Sequence, residues 1–226
     1  MRTLLVFARE PRPGRVKSRL AASLGAEASC RLYRAFVHDL SRVLRCRPGL
    51  AVEWWIEGEA GAEAPSIREL AGAHVPLYSQ PEGDLGRKMG AAFEDAFARG
   101  GGPVAVVGTD CPLLRPADLE NLFSAVESGC DVSILPVEDG GYFGLALRRF
   151  VPEPFEAIPW STGQVLEATL AALRRAGRTV RVLPQLYDVD TAADLERLAG
   201  DLAADPARAP ETARVLLALA GAARDS

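Results

Sequence analysis

The chain has 226 residues, 48% of them hydrophobic and 25% charged, with a formal net charge of −4 at pH 7. This composition is typical of a globular protein and excludes a disordered chain, and the length fits a single large α/β domain over 1–226. The acidic balance and the scarcity of aromatic residues around the one basic stretch argue against an RNA-binding role, so we expect no nucleic-acid partner.

Targeting signals and metal-binding cysteines are not expected. No apolar run approaches the ~18 residues that a membrane span needs, and the N-terminus "MRTLLVFARE" reaches a charge too early for a secretory signal. We therefore expect a cytoplasmic protein. Cys30, Cys46, Cys111 and Cys130 form no C-x-x-C pair, which predicts free structural thiols.

Short apolar runs bounded by Gly, Pro or charge alternate along the chain with segments of helical periodicity. The predicted strands cover 3–8, 50–56, 74–79, 103–108, 131–137, 142–147 and 179–184. Helical spacing is seen over 32–44, 89–97, 119–126 and 165–173. Residues 57–66 are predicted to be a loop, and the Ala-rich stretch at about 205–223 a terminal helix.

The alternation of strands and helices predicts a three-layer α/β/α fold with a mostly parallel sheet, because parallel neighbours need crossover helices. Residues 138–147 interrupt the alternation, since a glycine turn leads into a strand with no helix before it. We therefore expect one antiparallel strand there and a mixed sheet. In such sheets ligands bind outside the carboxyl ends of the strands, so the residues that follow each strand are examined first.

The first such segment is "FAREPRPGRVKSRL", a strongly basic turn before a predicted helix. Gly14 and two prolines shape the turn, and the basic side chains around it are Arg9, Arg12, Arg15, Lys17 and Arg19. Cations crowded at a helix N-terminus repel one another and the helix dipole, so a phosphate or diphosphate is the expected partner. The alternative is a solvated basic loop in an arginine-rich protein. The segment matches neither a Walker A loop nor a dinucleotide-binding fingerprint.

The second segment is "VVGTDCPLL", in which Asp110 ends a very apolar strand. A carboxylate at that point is poorly solvated and needs a partner, and a divalent cation would serve both it and a nearby phosphate. The alternative is that Asp110 caps the helix predicted to start near Pro116, although the distance in sequence weakens this alternative.

The third segment is "PVEDGGYFG". Gly140 and Gly141 would let the backbone approach a ligand closely, with Asp139 beside them as an acceptor or base. A plain hairpin turn explains "DGG" equally well, since Asp-Gly is a strong turn signal.

The fourth segment is "YDVDTAADLERL". Thr191 and Asp194 form a capping box that explains the start of a helix, but the box does not explain Asp190. We expect the carboxylates of Asp188 and Asp190 to point to opposite sides of an extended segment, so that at most one of them faces a site shared with Asp110.

Two further patterns point to structure and not to chemistry. In "PWSTGQ", Ser161 and Gln164 are predicted to form a capping box, with Trp160 packing against the core. Neither His38 nor His74 has a Ser or Cys in a nucleophile-elbow context, which argues against a hydrolase triad.

Six motifs occur together in order: "FAREPRPGRVKSRL", "GDLGRKM", "GTDCPLL", "DGGYFGL", "PWST" and "YDVDTAADLERL". Over about residues 3–200 the chain resembles a bacterial family of uncharacterised transferases with the nucleotide-diphospho-sugar transferase (GT-A type) fold. More distantly it is similar to the guanylyltransferases that act on phospholactate and on molybdopterin.

The resemblance implies a nucleoside triphosphate or nucleotide-sugar donor, a small-molecule acceptor, and Mg²⁺ or Mn²⁺ as cofactor. It implies nucleotide and phosphate binding at Ala8, Arg9, Gly14, Arg15, Lys17, Arg19, Gln80, Gly83 and Asp84. It implies metal binding by Asp110 and Asp190, acceptor binding by Asp139, Gly140 and Gly141, and catalytic roles for Lys17, Asp110 and Asp139.

Several alternatives stay open. The chain lacks the L-A-A-G-x-G-x-R opening of sugar nucleotidyltransferases and has T-D-C where many glycosyltransferases have D-x-D, so nucleotidyl and glycosyl transfer are both retained. A non-catalytic nucleotide-binding module of the same fold is the second function considered. The stretch "ARVLLALAG" could form a homodimer interface or an ordinary core-packing stripe.

Overall fold

The computed structural model describes residues 1–45, 47–58, 63–100 and 102–222. Within these ranges, seven strands form one sheet in the order β3-β2-β1-β4-β6-β5-β7. They are β1 (Arg2–Arg9), β2 (Leu50–Glu57), β3 (Leu77–Ser79), β4 (Val104–Val107), β5 (Val132–Pro136), β6 (Tyr142–Leu147) and β7 (Val180–Val182). All seven predicted strands are present, although β3 and β7 are shorter than predicted.

The sheet is mixed, as predicted. Strand β1 pairs in parallel with β2 and β4, and β5 pairs in parallel with β7. Strand β6 is antiparallel to both of its neighbours, β4 and β5, because the short turn before it reverses the chain without a crossover helix. The start of β6 therefore lies at the same edge of the sheet as the carboxyl ends of β1, β2 and β4.

The described residues form eight α-helices: α1 (Ser18–Leu24), α2 (Ala26–Leu44), α3 (Pro65–Ala71), α4 (Leu85–Ala98), α5 (Pro116–Glu127), α6 (Val165–Arg175), α7 (Ala192–Ala204) and α8 (Pro210–Ala222). Alternate residues of β1 point to the two faces of the sheet. Leu4 and Val6 pack with α2, α3 and α5 on one face, and Leu5 packs with α4 and α6 on the other. The predicted three-layer α/β/α class is thereby confirmed.

Two boundaries differ from the sequence-based expectation. Helix α3 begins inside the segment predicted to be a loop, because Pro65 stands at the first helical position, where proline is favoured. The terminal helix begins later than predicted, at Pro210, after a short 3-10 helix over Pro206–Arg208. Residues 59–62 of the predicted loop and residue 223 of the predicted terminal helix lie outside the described residues.

Helix α8 packs against α2, so "ARVLLALAG" is a core-packing stripe on the side of Ala213 and Val215. Asp39, buried in α2, accepts hydrogen bonds from the backbone N–H groups of Glu211 and Thr212 and fixes the start of α8. Leu217 on the same helix is 75% exposed. A homodimer through this outer face stays a prediction.

Cys30, Cys111 and Cys130 are free thiols, as predicted, and Cys46 lies outside the described residues. Among the helices of the described ranges, none has the length and apolar character required to cross a bilayer.

Candidate functional site

A cavity of about 810 Å³ opens at the carboxyl edge of the sheet. Its walls come from the ends of β1, β2 and β4, from the segment after β1, from α4, from the β5–β6 turn and from residues 160–165 and 188–190. A cavity of this size at this edge is where α/β sheets of this kind bind small ligands.

The cavity brings together most of the residues that the sequence singles out, although they lie far apart in the chain. Those that line it are Ala8, Arg9, Lys17, Arg19, Gln80, Asp110, Asp139, Gly141 and Asp190. Those that do not line it are Gly14, Arg15, Gly83, Asp84 and Gly140.

Lys17 lies at the centre of the charged side of the cavity, with only 3% of its side chain exposed. Its ammonium contacts Asp110 Oδ1 at 2.5 Å and Asp190 Oδ1 at 2.8 Å, and donates a hydrogen bond to the carbonyl oxygen of Val189 at 2.8 Å. Burial alone would lower the pKa of Lys17, but the two carboxylates outweigh it and the net effect raises that pKa. The ammonium is therefore held in its charged form.

The backbone at Lys17 has an unusual conformation. Lys17 is the N-cap of α1 and has φ 50 and ψ 49, a left-handed conformation that costs a non-glycine residue energy. On the other side of the cluster, the backbone N–H of Val189 donates to the carbonyl oxygen of Asp110 at 3.0 Å. This bond joins the segment of Asp190 to the end of β4, so the two carboxylates meet at Lys17.

The five predicted basic side chains separate in the structure. Lys17 is buried, Arg9 pairs with Glu57, and Arg19 is 74% exposed with its guanidinium 3.8 Å from Asp190. Arg12 and Arg15 are exposed and do not line the cavity. The alternative of a solvated basic loop therefore describes Arg12 and Arg15, whereas the other three face the cavity.

A second ion cluster, which the sequence analysis did not predict, lies at the end of β2. The Lys88 ammonium and the Arg9 guanidinium both contact the carboxylate of Glu57. Burial alone would raise the pKa of Glu57, but the hydrogen bond from Lys88 and the charge of Arg9 outweigh it and lower that pKa. One carboxylate thus balances two cations. The only signal in the sequence is that lysine occurs at two positions, 17 and 88.

A buried hydrogen-bond network fixes the backbone where β1 ends. The Tyr33 hydroxyl accepts from the backbone N–H of Arg9 at 3.0 Å and from the Thr109 hydroxyl at 3.2 Å. Burial raises the pKa of Tyr33 to about 12, so its hydroxyl stays protonated. The network ties the Ala8 and Arg9 backbone to the segment that carries Asp110, and the sequence pattern around Tyr33 gives no sign of it.

Asp188 and Asp190 both line the cavity, so the expectation that they point to opposite sides is wrong. Residues two apart on an extended segment lie on the same side, and the residue between them, Val189, is fully buried in the core. Burial, together with the charges of Asp139 and Asp190, raises the pKa of Asp188 to about 6.

The "DGG" segment is a hairpin turn and also a wall of the cavity. Asp139 Oδ1 accepts the backbone N–H of Gly141 at 2.8 Å, and Gly140 has φ 87, which L-residues rarely adopt. A Cβ on Gly140 would collide with the carbonyl oxygen of Gly163. The close approach at Gly140 is therefore between two backbone segments, while Asp139 and Gly141 face the cavity.

Helix caps rule out one alternative and correct one expectation. Asp110 does not cap α5, because Arg115 is the N-cap and its backbone N–H donates to Asp118 at 2.9 Å. The predicted box of Ser161 and Gln164 is absent, since Ser161 has φ 64 and Gln164 is itself the N-cap of α6, with no capping hydrogen bond from its side chain.

The remaining caps agree with the sequence or explain why a predicted residue is absent from the cavity. The box of Thr191 and Asp194 at the start of α7 is confirmed. Asp84 caps α4 by accepting the backbone N–H of Arg87 at 2.8 Å, which directs its carboxylate away from the cavity. Gln80 does line the cavity, with its amide Nε2 donating to the carbonyl oxygen of Trp55 at 2.9 Å.

Trp160 forms an aromatic part of the opposite wall and packs against the core, as predicted. It lies against Gly86 of α4, where a Cβ would collide with the indole nitrogen. Tyr142 meets the indole edge-on, with ring centroids 6.2 Å apart.

Across the described ranges, no group of three or more His, Cys, Asp or Glu side chains is arranged to hold a metal ion. Asp110 and Asp190 remain a pair, and each has one oxygen that does not contact Lys17; that of Asp190 lies 3.8 Å from the exposed Arg19 guanidinium.

Solved structures share this fold. A provisionally assigned nucleotide-diphospho-sugar transferase from Desulfovibrio desulfuricans G20 is 28% identical, with a TM-score of 0.91 over 99% of this chain and 97% of that chain. A cytidylyltransferase from Leptospira borgpetersenii serovar Hardjo-bovis is 12% identical, with a TM-score of 0.57 over 99% of this chain and 95% of that chain. The CTP complex of CMP:2-keto-3-deoxy-manno-octonic acid synthetase is 15% identical, with a TM-score of 0.55 over 90% of this chain and 99% of that chain.

The structural neighbours are thus transferases, and the last two, at their low identity, show the fold alone. No curated protein matches the sequence significantly. Residues 40–162, more than half of the chain, match a family described as "Uncharacterized protein conserved in bacteria" (DUF2064). The predicted resemblance is confirmed, and the chain belongs to this bacterial family.

Proposed function

We propose that the protein is a metal-dependent transferase that uses a nucleoside triphosphate or a nucleotide-sugar as donor and a small molecule as acceptor. The observation that carries the proposal is the Lys17 cluster with Asp110 and Asp190, placed beside a cavity of about 810 Å³ at the carboxyl edge of the sheet. The likeness at a TM-score of 0.91 to a provisionally assigned nucleotide-diphospho-sugar transferase supports this class of donor.

The donor fits with its nucleoside over the end of β1. The Ala8 and Arg9 backbone is fixed there by Tyr33, and Gln80 faces the same space. The excess positive charge of Arg9 and Lys88 over Glu57 is suited to an anionic donor. Arg19, exposed at the rim, offers a forked guanidinium for phosphate oxygens. The CTP bound by the octonic acid synthetase is a donor of this class.

Mg²⁺ or Mn²⁺ fits the carboxylate pair of Asp110 and Asp190. Mg²⁺ typically uses one or two protein carboxylates and takes its other ligands from water and substrate phosphates, so a third protein ligand is not required. Each carboxylate keeps one oxygen that is not in contact with Lys17. The chemistry supplied by the ion at this pair is neutralisation of charge on the phosphate oxygens.

The residues of the chain perform the same tasks in either form of the reaction. In nucleotidyl transfer an acceptor oxygen attacks the α-phosphorus, the bond to the β-phosphate oxygen breaks, and pyrophosphate leaves. In glycosyl transfer an acceptor hydroxyl oxygen attacks the anomeric carbon of the sugar, the bond to the diphosphate oxygen breaks, and a nucleoside diphosphate leaves. Asp139 takes the proton of the attacking hydroxyl, while Arg19 offsets charge on the departing phosphate.

The part of the cavity lined by Asp139, Asp188 and Trp160 favours an uncharged, hydroxyl-bearing acceptor. Asp139 and Asp188 line this part, and within the described ranges neither forms an ion pair. An anionic acceptor would be repelled by both carboxylates. Trp160 adds an aromatic surface and Ser161 a hydroxyl, a combination suited to a sugar-like molecule.

A product assay tests the proposal. Purified protein is incubated with Mn²⁺, a set of nucleoside triphosphates and nucleotide-sugars, and neutral hydroxylated acceptors, and released pyrophosphate and nucleoside diphosphate are measured separately. Pyrophosphate identifies nucleotidyl transfer and nucleoside diphosphate identifies glycosyl transfer. Donor binding with neither product at any acceptor would favour the non-catalytic binding module, and absence of donor binding at millimolar concentration would contradict the proposal.

A further inference from the structure

We propose that the Lys17 ammonium is a resident counter-ion of Asp110 and Asp190, which excludes a divalent cation from this carboxylate pair until a donor phosphate draws Lys17 away. This inference rests on the proposed function, because it takes the same two carboxylates as the metal ligands. It adds an order of events: metal binds with the donor or after it, and not to the free protein.

The hydrogen-bonding capacity of Lys17 is already used. An ammonium has three N–H donors and no acceptor, and Lys17 has three acceptors in contact: Asp110 Oδ1, Asp190 Oδ1 and the carbonyl oxygen of Val189. No donor is left over for a phosphate oxygen in this arrangement. Lys17 can contact a phosphate only by giving up at least one of these three partners.

The ammonium also blocks the carboxylate pair electrostatically. It lies 2.5 Å from one oxygen of Asp110 and 2.8 Å from one oxygen of Asp190, so a divalent cation bound to both carboxylates would lie close to a fixed positive charge. That repulsion acts in a partly buried place, where it is screened less than at the surface.

The depth and backbone of Lys17 indicate that this contact is built into the fold. Its side chain is 3% exposed, whereas that of Asp110 is 45% exposed and that of Asp190 is 35% exposed. The carboxylates thus remain open to the cavity on the side away from the ammonium. The left-handed backbone conformation at Lys17, φ 50, is energetically unfavourable for a non-glycine residue. It occurs at the residue whose ammonium contacts both carboxylates.

A donor phosphate relieves the repulsion. Its oxygens offer the ammonium acceptors of the same charge and strength as the carboxylates, and they offer the divalent cation additional ligands. Phosphate binding therefore weakens the hold of Asp110 and Asp190 on Lys17 at the same time as it favours the metal.

The experiment is a titration of the donor-free protein with Mn²⁺, followed by the loss of the free Mn²⁺ signal in electron paramagnetic resonance. Three proteins are compared: wild type, Lys17→Met and Lys88→Met. Lys88 is a matched control, because it is the other lysine of the cavity and also pairs with a carboxylate, Glu57. We expect Lys17→Met to bind Mn²⁺ about 10-fold or more tightly than wild type, and Lys88→Met to equal wild type.

Two results of this titration would overturn the inference. Equal Mn²⁺ affinity of wild type and Lys17→Met, lost in both when Asp110→Asn is added, would keep the metal site and overturn the exclusion by Lys17. No Mn²⁺ binding by either protein, even with a nucleoside triphosphate or nucleotide-sugar bound, would refute the metal assignment and the inference with it.

A second measurement covers the case in which Lys17→Met does not fold. The inference requires donor-free wild type to leave Mn²⁺ unbound at micromolar concentration. Micromolar binding by wild type that Asp110→Asn abolishes would overturn the inference without any Lys17 variant. Conversely, a Lys17→Met protein that folds only when Mn²⁺ is present would support it, because the metal would then replace the ammonium.

Discussion

The two lysines of the chain line the same cavity in opposite electrostatic surroundings. Lys17 is 3% exposed, has a left-handed backbone at the start of α1, and serves two carboxylates. Lys88 is 15% exposed, stands within the regular helix α4, and shares the single carboxylate of Glu57 with Arg9. Lys17 with its two carboxylates therefore carries an excess of one negative charge, with the exposed Arg19 at its edge 3.8 Å from Asp190, and the Lys88 cluster carries an excess of one positive charge.

The difference shows how a cavity can accept a phosphate-bearing donor and a metal ion together. The two carboxylates of the Lys17 cluster can take a divalent cation once a donor phosphate has drawn Lys17 away, and the excess positive charge of the Lys88 cluster favours the anionic donor. Both clusters consist of ordinary charged side chains, and they differ in the number of carboxylates that surround each lysine.

The largest expected effect is on turnover, and it distinguishes Asp110 in the Lys17 cluster from Glu57 in the Lys88 cluster. Asp110→Asn should lower the rate of product formation about 1,000-fold or more with the fold intact, since it removes one of the two carboxylates proposed to hold the metal ion. Glu57→Gln should lower it only about 10-fold, because Arg9 and Lys88 lose the carboxylate that positions them while the proposed metal ligands are kept. Initial rates at saturating Mn²⁺ measure both changes.

Asp205→Asn is a suitable control, because Asp205 caps the 3-10 helix away from the cavity and Asn retains a capping oxygen. Near-normal turnover of Asp110→Asn at saturating metal would show that the reaction does not depend on the Lys17 cluster.

The next effect separates the two lysines by stability. In Lys17→Met, two carboxylates are left close together without their cation, and the free energy of unfolding should fall by about 2 to 3 kcal/mol. In Lys88→Met, Glu57 keeps Arg9, and the loss should be about 1 kcal/mol. Urea unfolding in the absence of divalent cations measures both. Equal losses would mean that the two clusters do not differ as described.

The smallest expected effect concerns Asp188, a further carboxylate that lines the cavity together with Asp110 and Asp190. Its pKa is raised to about 6 in the folded protein, above the ordinary value of 3.8, so the folded state binds its proton more tightly than the unfolded state. The contribution of Asp188 to the free energy of unfolding should therefore fall as pH rises from about 4 to 6, and the difference between wild type and Asp188→Asn isolates this contribution from that of the other carboxylates. Asp188→Asn should raise the free energy of unfolding by about 1 to 2 kcal/mol at pH 7 and have little effect below pH 4.

This prediction is checked by urea unfolding of wild type and Asp188→Asn across pH 3.5 to 8 in the presence of a chelator. A destabilised Asp188→Asn at pH 7 would contradict the raised pKa and indicate a paired carboxylate instead.

The fold could be predicted from the sequence because apolar runs and helical spacing are local signals. Strand β6 was identified as antiparallel from a missing helix alone. Helix α3 escaped prediction because its only start signal is Pro65 after a stretch rich in Ala, Gly and Glu. Boundaries such as the start of α8 depend on tertiary contacts, here the cap that Asp39 provides from α2.

The site could be predicted only in part. Residues at strand ends, such as Asp110, fall at the cavity because topology places them there. The partners of Lys17 could not be predicted, because a basic side chain in a turn gives no indication of whether it meets a ligand or the protein's own carboxylates. The sequence likewise gives no indication that Arg15, unlike Lys17, is exposed and does not line the cavity. The Glu57 and Lys88 pair joins residues 31 apart that share no motif.

The central claim, that a donor and a metal ion bind together at the Lys17 cluster, is tested most directly by calorimetric titration of the protein with nucleoside triphosphates and nucleotide-sugars, with and without Mn²⁺. The account predicts that one donor class binds more tightly with Mn²⁺ and that Asp110→Asn abolishes this gain. Equal affinity with and without Mn²⁺, or a gain that Asp110→Asn leaves unchanged, would contradict it.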